Sequence, residues 1–131
     1  MHSEAALAFF FPDCAVRSLA PLGQGNINHT LRVELADGAT WVMQRLHPGV
    51  LTDADAVMDN MRVVTDCLAG SDEASMRFFR LGTNPQGRDR FVDGEGCCWR
   101  ILSFIGRSRC LECLENPAQA EGIGRLLGRF H

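Results

Sequence analysis

The chain has 131 residues, a formal net charge of −3, 46% hydrophobic and 22% charged residues. That length makes one domain with a real core and is too short for two comfortable ones. The acidic balance offers no basic field to nucleic acid, no apolar run approaches the ~18 residues of a membrane span, and Met1-His2-Ser3-Glu4 lacks the basic start of a secretory signal, so a cytoplasmic protein is expected.

In chain order, Ser3–Phe11 reads as a short helix stopped by Pro12, with Ser3 as its N-cap. Val16–Leu22 reads as a strand leading into the glycine-containing stretch PLGQGNINHT (21–30). Leu31–Leu35 alternates apolar and polar residues, the pattern of a half-buried strand. Asp37-Gly38 signals a tight hairpin turn, and Thr40–Leu46 is the return strand. After the breaker His47-Pro48-Gly49, a helix is expected over 53–69. Thr52 and Asp55 form an approximate capping box, and Gly70 is the stop. Its apolar stripe is Ala54, Val57, Met58, Met61, Val64, Thr65 and Leu68.

Phe78–Leu81 and Arg90–Val92 read as short strands around a loop at Gly82–Gly87, and Asp93-Gly94-Glu95-Gly96 as a turn. Cys98–Ile105 is a strong apolar strand ended by Gly106, and Pro117 opens a last helix running to His131. The expected class is α+β: a mostly antiparallel five-stranded sheet with one packed helix, an N-terminal helical segment (1–15) and a truncated C-terminal helix within 107–131.

Six cysteines include Cys97-Cys98 and the C-x-x-C of Cys110 and Cys113. Adjacent strand residues face opposite ways, so Cys97 and Cys98 are poorly arranged to share one ion. Scattered reduced thiols are the expectation, and a thiol or zinc module is the least favoured functional reading.

The stretch 21–30 carries G-x-G-x-x-N, with Asn28 where a third glycine would complete a phosphate-binding motif. A dinucleotide loop must open a helix, whereas this one is followed by a strand and a hairpin. A P-loop needs G-K-[ST], which does not occur. Two readings remain: a kinase-type glycine hairpin over ATP phosphates, or a polar turn between strands.

GQGNINHTLRV (23–33), WVMQRLHPGVL (41–51), MDNMRVVTDCL (58–68), WRILSFIG (99–106) and GRLLGRFH (124–131) follow one another in the order of a kinase N-terminal lobe. In these segments the chain resembles the N-terminal lobe of the aminoglycoside phosphotransferase/choline kinase family, in particular its N-acetylhexosamine kinase-like branch. That resemblance implies a protein-kinase-like lobe over 16–106, with ATP and Mg²⁺ as cofactors and a small-molecule hydroxyl as phosphate acceptor. It places Gly23, Gln24, Gly25, Asn26 and Asn28 over the phosphates and Val42 against adenine. Gln44 falls at the position where kinases carry a lysine. Gln44 is neutral, and Arg45 supplies the missing charge only if the strand register differs by one. At the helix partner, sequence matching selects Asp59. Helical geometry turns Asp59 away from the apolar stripe and favours Asn60 on its flank. Leu102 is the expected gatekeeper, with the Ser103 carbonyl and the Ile105 N–H reading the base edge.

The same family takes its catalytic base and Mg²⁺ ligands from an H-x-D-x-x-x-x-N stretch and a later acidic residue, and these 131 residues contain no such stretch. The chain is therefore expected to be one lobe without catalytic or metal-binding residues of its own. The exposed lobe interface, with Ile123, Leu126, Leu127 and Phe130 on the last helix, suits homodimerisation. The alternative functional reading is a non-catalytic interaction domain that keeps this fold.

Overall fold

The computed structural model describes residues 2–23, 28–49, 52–70, 77–108 and 113–130. The chain is α+β: an open five-stranded sheet in the order β1-β2-β3-β5-β4, with three helices among the described residues. The strands are β1 Val16–Pro21, β2 His29–Leu35, β3 Thr40–Arg45, β4 Phe91–Val92 and β5 Cys98–Ser103. The helices are α1 His2–Phe10, α2 Ala54–Ala69 and α3 Pro117–Phe130. Every pairing is antiparallel.

Side chains alternate across the sheet and divide it into two faces. Leu31, Val33 and Leu35 of β2, Met43 of β3, and Trp99 and Ile101 of β5 form one core with Ala6, Phe10 and Phe11. The opposite face carries Cys98 and Leu102 of β5, which pack with Leu46, Leu81 and Met58, bordered by Val42, Ala54 and Met61. A helix thus packs on each face, where one packed helix was expected. Burying a side chain such as Ile101 or Met43 stabilises the fold by roughly 1.5–3 kcal/mol.

Several element ends differ from the sequence expectation for identifiable reasons. Ser3 is not an N-cap. It lies inside α1 and is buried with Ala6 and Phe10, the 3-6-10 spacing of a helix stripe laid on the sheet. Asp53, rather than Thr52, caps α2, its Oδ1 accepting from the Ala56 N–H at 3.0 Å. Val64 of the expected stripe is half exposed, whereas Met58 and Thr65 are buried. Gly70 does end α2, and its N–H bonds the carbonyls of Cys67 and Leu68.

The hairpin turn closes as a three-residue loop. The Gly38 N–H donates to the Leu35 carbonyl at 3.0 Å, and Gly38 takes a φ of 92° that favours glycine. Phe78–Leu81 is not a strand of the sheet; it meets β5 through the isolated Leu81–Leu102 bridge and through hydrogen bonds between Arg80 and Ser103. β5 ends at Ser103, two residues before the expected Ile105.

Candidate functional site

The β1–β2 hairpin holds the glycine-containing loop at the sheet edge. Its last described rung is the Leu22 N–H donating to the Thr30 carbonyl at 3.0 Å. Gly23 adopts a φ of +74°, a conformation that side chains disfavour. Gln24, Gly25 and Asn26 lie outside the described residues. Asn28 is described: its Oδ1 accepts from the His47 N–H at 3.3 Å and ties the loop to the segment after β3.

Val42, Gln44 and Leu102 share the α2 face. Val42 and Leu102 are direct cross-strand partners, flanked on β2 by Arg32. The next row on that face is Thr30, Gln44 and Arg100. Gln44 bridges it, with Nε2 donating to Thr30 Oγ1 at 3.2 Å and Oε1 accepting from Arg100 Nε at 2.9 Å. The Gln44 amide is thus held by its two cross-strand neighbours and not by α2.

Arg100 is only 7% exposed, and its Nη1 is buried without a hydrogen-bond partner. Among the described residues no carboxylate forms an ion pair with it. Burial pulls its pKa down, and the neighbouring Cys98 offsets only part of that. The second orphaned guanidinium nitrogen, Arg62 Nη2, belongs to a side chain already paired with Asp89 at 3.1 Å.

On α2, Asp59 and Asn60 are both exposed. Asp59 ion-pairs with Arg90 at 2.8 Å, and Arg90 also holds Asp55 and Asp89, each at an N–O distance of 2.9 Å or less. The Asp89 hydrogen bond leads the contacts that raise the Arg90 pKa. This cluster latches α2 to the segment before β4, so Asp59 is a structural latch and is not free in solvent.

Ser103 closes β5. Its N–H donates to the Arg80 carbonyl at 2.8 Å, and its Oγ accepts from the Arg80 N–H at 2.7 Å. Ile105 lies past the strand, its carbonyl accepting from Ser108 Oγ at 2.6 Å. Cys98 is buried on the α2 face, in the core that contains Leu102. Cys97 is buried just before the strand. Cys110 lies outside the described residues, and these hold no cluster of three or more potential metal ligands.

Arg45 faces the α1 side and cannot serve the Gln44 row. Its Nε donates to Asp93 at 2.9 Å and its Nη2 to Glu95 at 2.6 Å. Asp93 is buried and accepts further bonds from the Glu95 and Cys97 N–H groups and from Trp99 Nε1 at 2.9 Å. Burial by itself would raise its pKa. The Trp99 indole, the Cys97 amide, the Arg45 guanidinium and the Glu95 amide outweigh burial and hold it well below the usual carboxylate range. A cavity of ≈ 170 Å³ opens on this same face between Leu19, Leu31, Trp99, His2, His29 and Arg45.

Two polar arrangements escape a linear reading. Asp93 sits in the expected turn, but its four donors converge only in three dimensions. Arg100 interrupts an apolar strand, and its alternation with Cys98 and Leu102 was the one available signal. No helix among the described residues is long and apolar enough to cross a membrane. Compared with known proteins, the chain matches no family model and no curated protein.

Proposed function

We propose that this chain is the nucleotide-binding lobe of a protein-kinase-like small-molecule phosphotransferase, acting in the cytoplasm on a sugar, amino sugar or aminoglycoside-like acceptor. The supporting observation is the shared α2 face: Val42 and Leu102 paired side by side, Gln44 in the next row, and the Gly23 loop on the adjoining hairpin. Adenine would lie on Val42 and Leu102, with its edge toward Ser103 and Ile105. The triphosphate would run toward the loop, where Gly23, Gln24, Gly25, Asn26 and Asn28 offer backbone and amide donors. Asn60 is too exposed to carry weight in this reading. Mg²⁺ would arrive with the nucleotide and take its protein ligands from a second lobe, so this polypeptide alone holds nucleotide without transferring phosphate.

Titration of the chain with ATP·Mg²⁺ while following the Val42 and Leu102 methyl signals by NMR tests this. Trp41 and Trp99 lie on the α1 side, so their emission is a poor local reporter. Saturable shifts at both methyls are expected, with weak affinity because half a cleft buries half a ligand. Unmoved methyls at millimolar nucleotide would sink the proposal.

The alternative reading is an interaction domain that pairs with a second copy. It draws on α3, where Ile123, Leu126 and Leu127 are about half exposed; the Phe130 side chain lies outside the described residues. A concentration-independent monomer in sedimentation equilibrium would eliminate it.

A further inference from the structure

We infer that Arg100 is the phosphate-binding cation of this site, reaching from β5 into the place that Gln44 leaves neutral on β3. The inference rests on the nucleotide-binding reading proposed above and names the residue that supplies its charge.

Kinase-type sites need a fixed cation on the sheet face beneath the glycine loop, because a triphosphate must be neutralised where water is excluded. β3 offers two polar residues for that task. Gln44 is on the correct face but carries no charge. Arg45 is charged but faces α1, where Asp93 and Glu95 already neutralise it. The neighbouring strand resolves this. Arg100 is the direct cross-strand partner of Gln44, and its Nε donates to Gln44 Oε1 at 2.9 Å. A guanidinium rooted on β5 therefore stands at the tip of the Gln44 side chain. From there the row continues through Gln44 Nε2 to Thr30, in the strand that emerges from the loop.

Two features of this side chain support an anionic partner. First, Arg100 is more than nine-tenths buried, yet among the described residues its only side-chain hydrogen bond is to a neutral amide. A buried charge without a counter-charge is strongly unfavourable, and such groups are retained where a partner supplies the missing charge. Second, Arg100 Nη1 is left without a partner, a donor that native structures seldom waste. The inner side of α2 cannot supply the anion. Asp55 and Asp59 are already paired with Arg90, and the α2 residues of the apolar core on this face are Ala54, Met58 and Met61. A phosphate oxygen brought to Nη1 would accept a charge-assisted hydrogen bond from it while Nε stays on Gln44. Gln44 then has a positive role: its acceptor orients the guanidinium and its donor stays on Thr30, a task that a β3 lysine could not perform.

The test compares ATP, inorganic tripolyphosphate and adenosine on the full chain, wild type against Arg100→Met and Arg100→Lys. The Arg100 Nε–H signal and the Val42 and Leu102 methyls are followed by NMR. In wild type, ATP and tripolyphosphate should shift the Arg100 Nε–H and adenosine should not. Arg100→Met should weaken ATP and tripolyphosphate binding by about tenfold or more, as for loss of one charge-assisted bond, and leave adenosine unchanged. Arg100→Lys should retain part of the phosphate affinity. Wild-type ATP binding with an unmoved Nε–H, or Arg100→Met binding ATP within twofold of wild type, overturns the inference and leaves the nucleotide reading standing. Tripolyphosphate shifting Arg100 while adenosine and ATP leave both methyls unmoved supports the anion site and removes the nucleotide. No response to any of the three overturns both. Should Arg100→Met lose its dispersed spectrum, the wild-type Nε–H shift and the lysine variant decide.

Discussion

Arg45 and Arg100 project from neighbouring strands on opposite faces of one sheet, and their surroundings are opposite in kind. Arg45 lies among acceptors: Asp93, Glu95 and, 6.0 Å away, the ring of Trp99. Arg100 lies against the Gln44 amide, on the face whose core contains Met58 of α2. The α1 face is therefore electrostatically closed, and its charges serve the fold. On the α2 face, Arg100 has no carboxylate partner among the described residues. A buried cation with its carboxylate is an ordinary structural device, whereas one without it is the feature on which the proposed phosphate contact rests.

The contrast predicts unequal costs. Asp93→Ala should cost the most, about 3 kcal/mol, because it strands the Trp99 N–H and the Cys97 N–H and leaves Arg45 half paired; urea denaturation followed by Trp99 emission measures it. The same carboxyl sets an acid limb. Its folded pKa lies below its unfolded value of about 3.9, so its contribution is complete above about pH 4 and is lost as pH falls toward the folded value. Wild type and Asp93→Asn should differ clearly in urea midpoint at pH 6 and converge toward pH 2. Parallel curves would show that Asp93 is not the group responsible.

Gly82→Ala probes the packing of the closed face. An added Cβ would stand 2.6 Å from Ile101 Cδ1 and 2.8 Å from Trp41 Cζ3. A loss of about 1–3 kcal/mol is expected, read as a lowered melting temperature. Arg100→Met should fall within about 1 kcal/mol of wild type or come out more stable, since a buried charge gives way to an apolar chain of similar length. Arg45→Met, which leaves the buried Asp93 carboxylate without its cation, should be clearly destabilised. Equal losses at the two arginines would end the distinction between the faces. Ile123→Ser on exposed α3 should move stability by no more than about 0.5 kcal/mol.

Much of the fold was legible locally. The alternation of 31–35 and 40–46 gave the central hairpin, the period of 54–68 gave α2, and Gly70 and Pro117 marked helix ends. These signals work because each rests on neighbours within a few residues. The same locality explains the misplacements. Ser3 has the chemistry of a cap, but the sheet needs a small residue at that point of the α1 stripe. Thr52 and Asp53 are both competent caps, and the choice turns on where the chain arrives from β3. Val42 and Gln44 could be assigned to one face from β3 alone, because strand alternation is strict.

The sequence by itself determined the α+β order of elements, the hairpin that carries the glycine loop, and the neutrality of position 44. It left open which groups Gln44 and Arg45 would meet. Only the tertiary structure decided that Arg45 belongs to Asp93, 48 residues further on, and that Arg100 meets Gln44 across 56 residues of chain. Cross-strand register between β3 and β5 is set by the packing of the whole sheet against α1 and α2, and a one-residue slip would exchange the two faces.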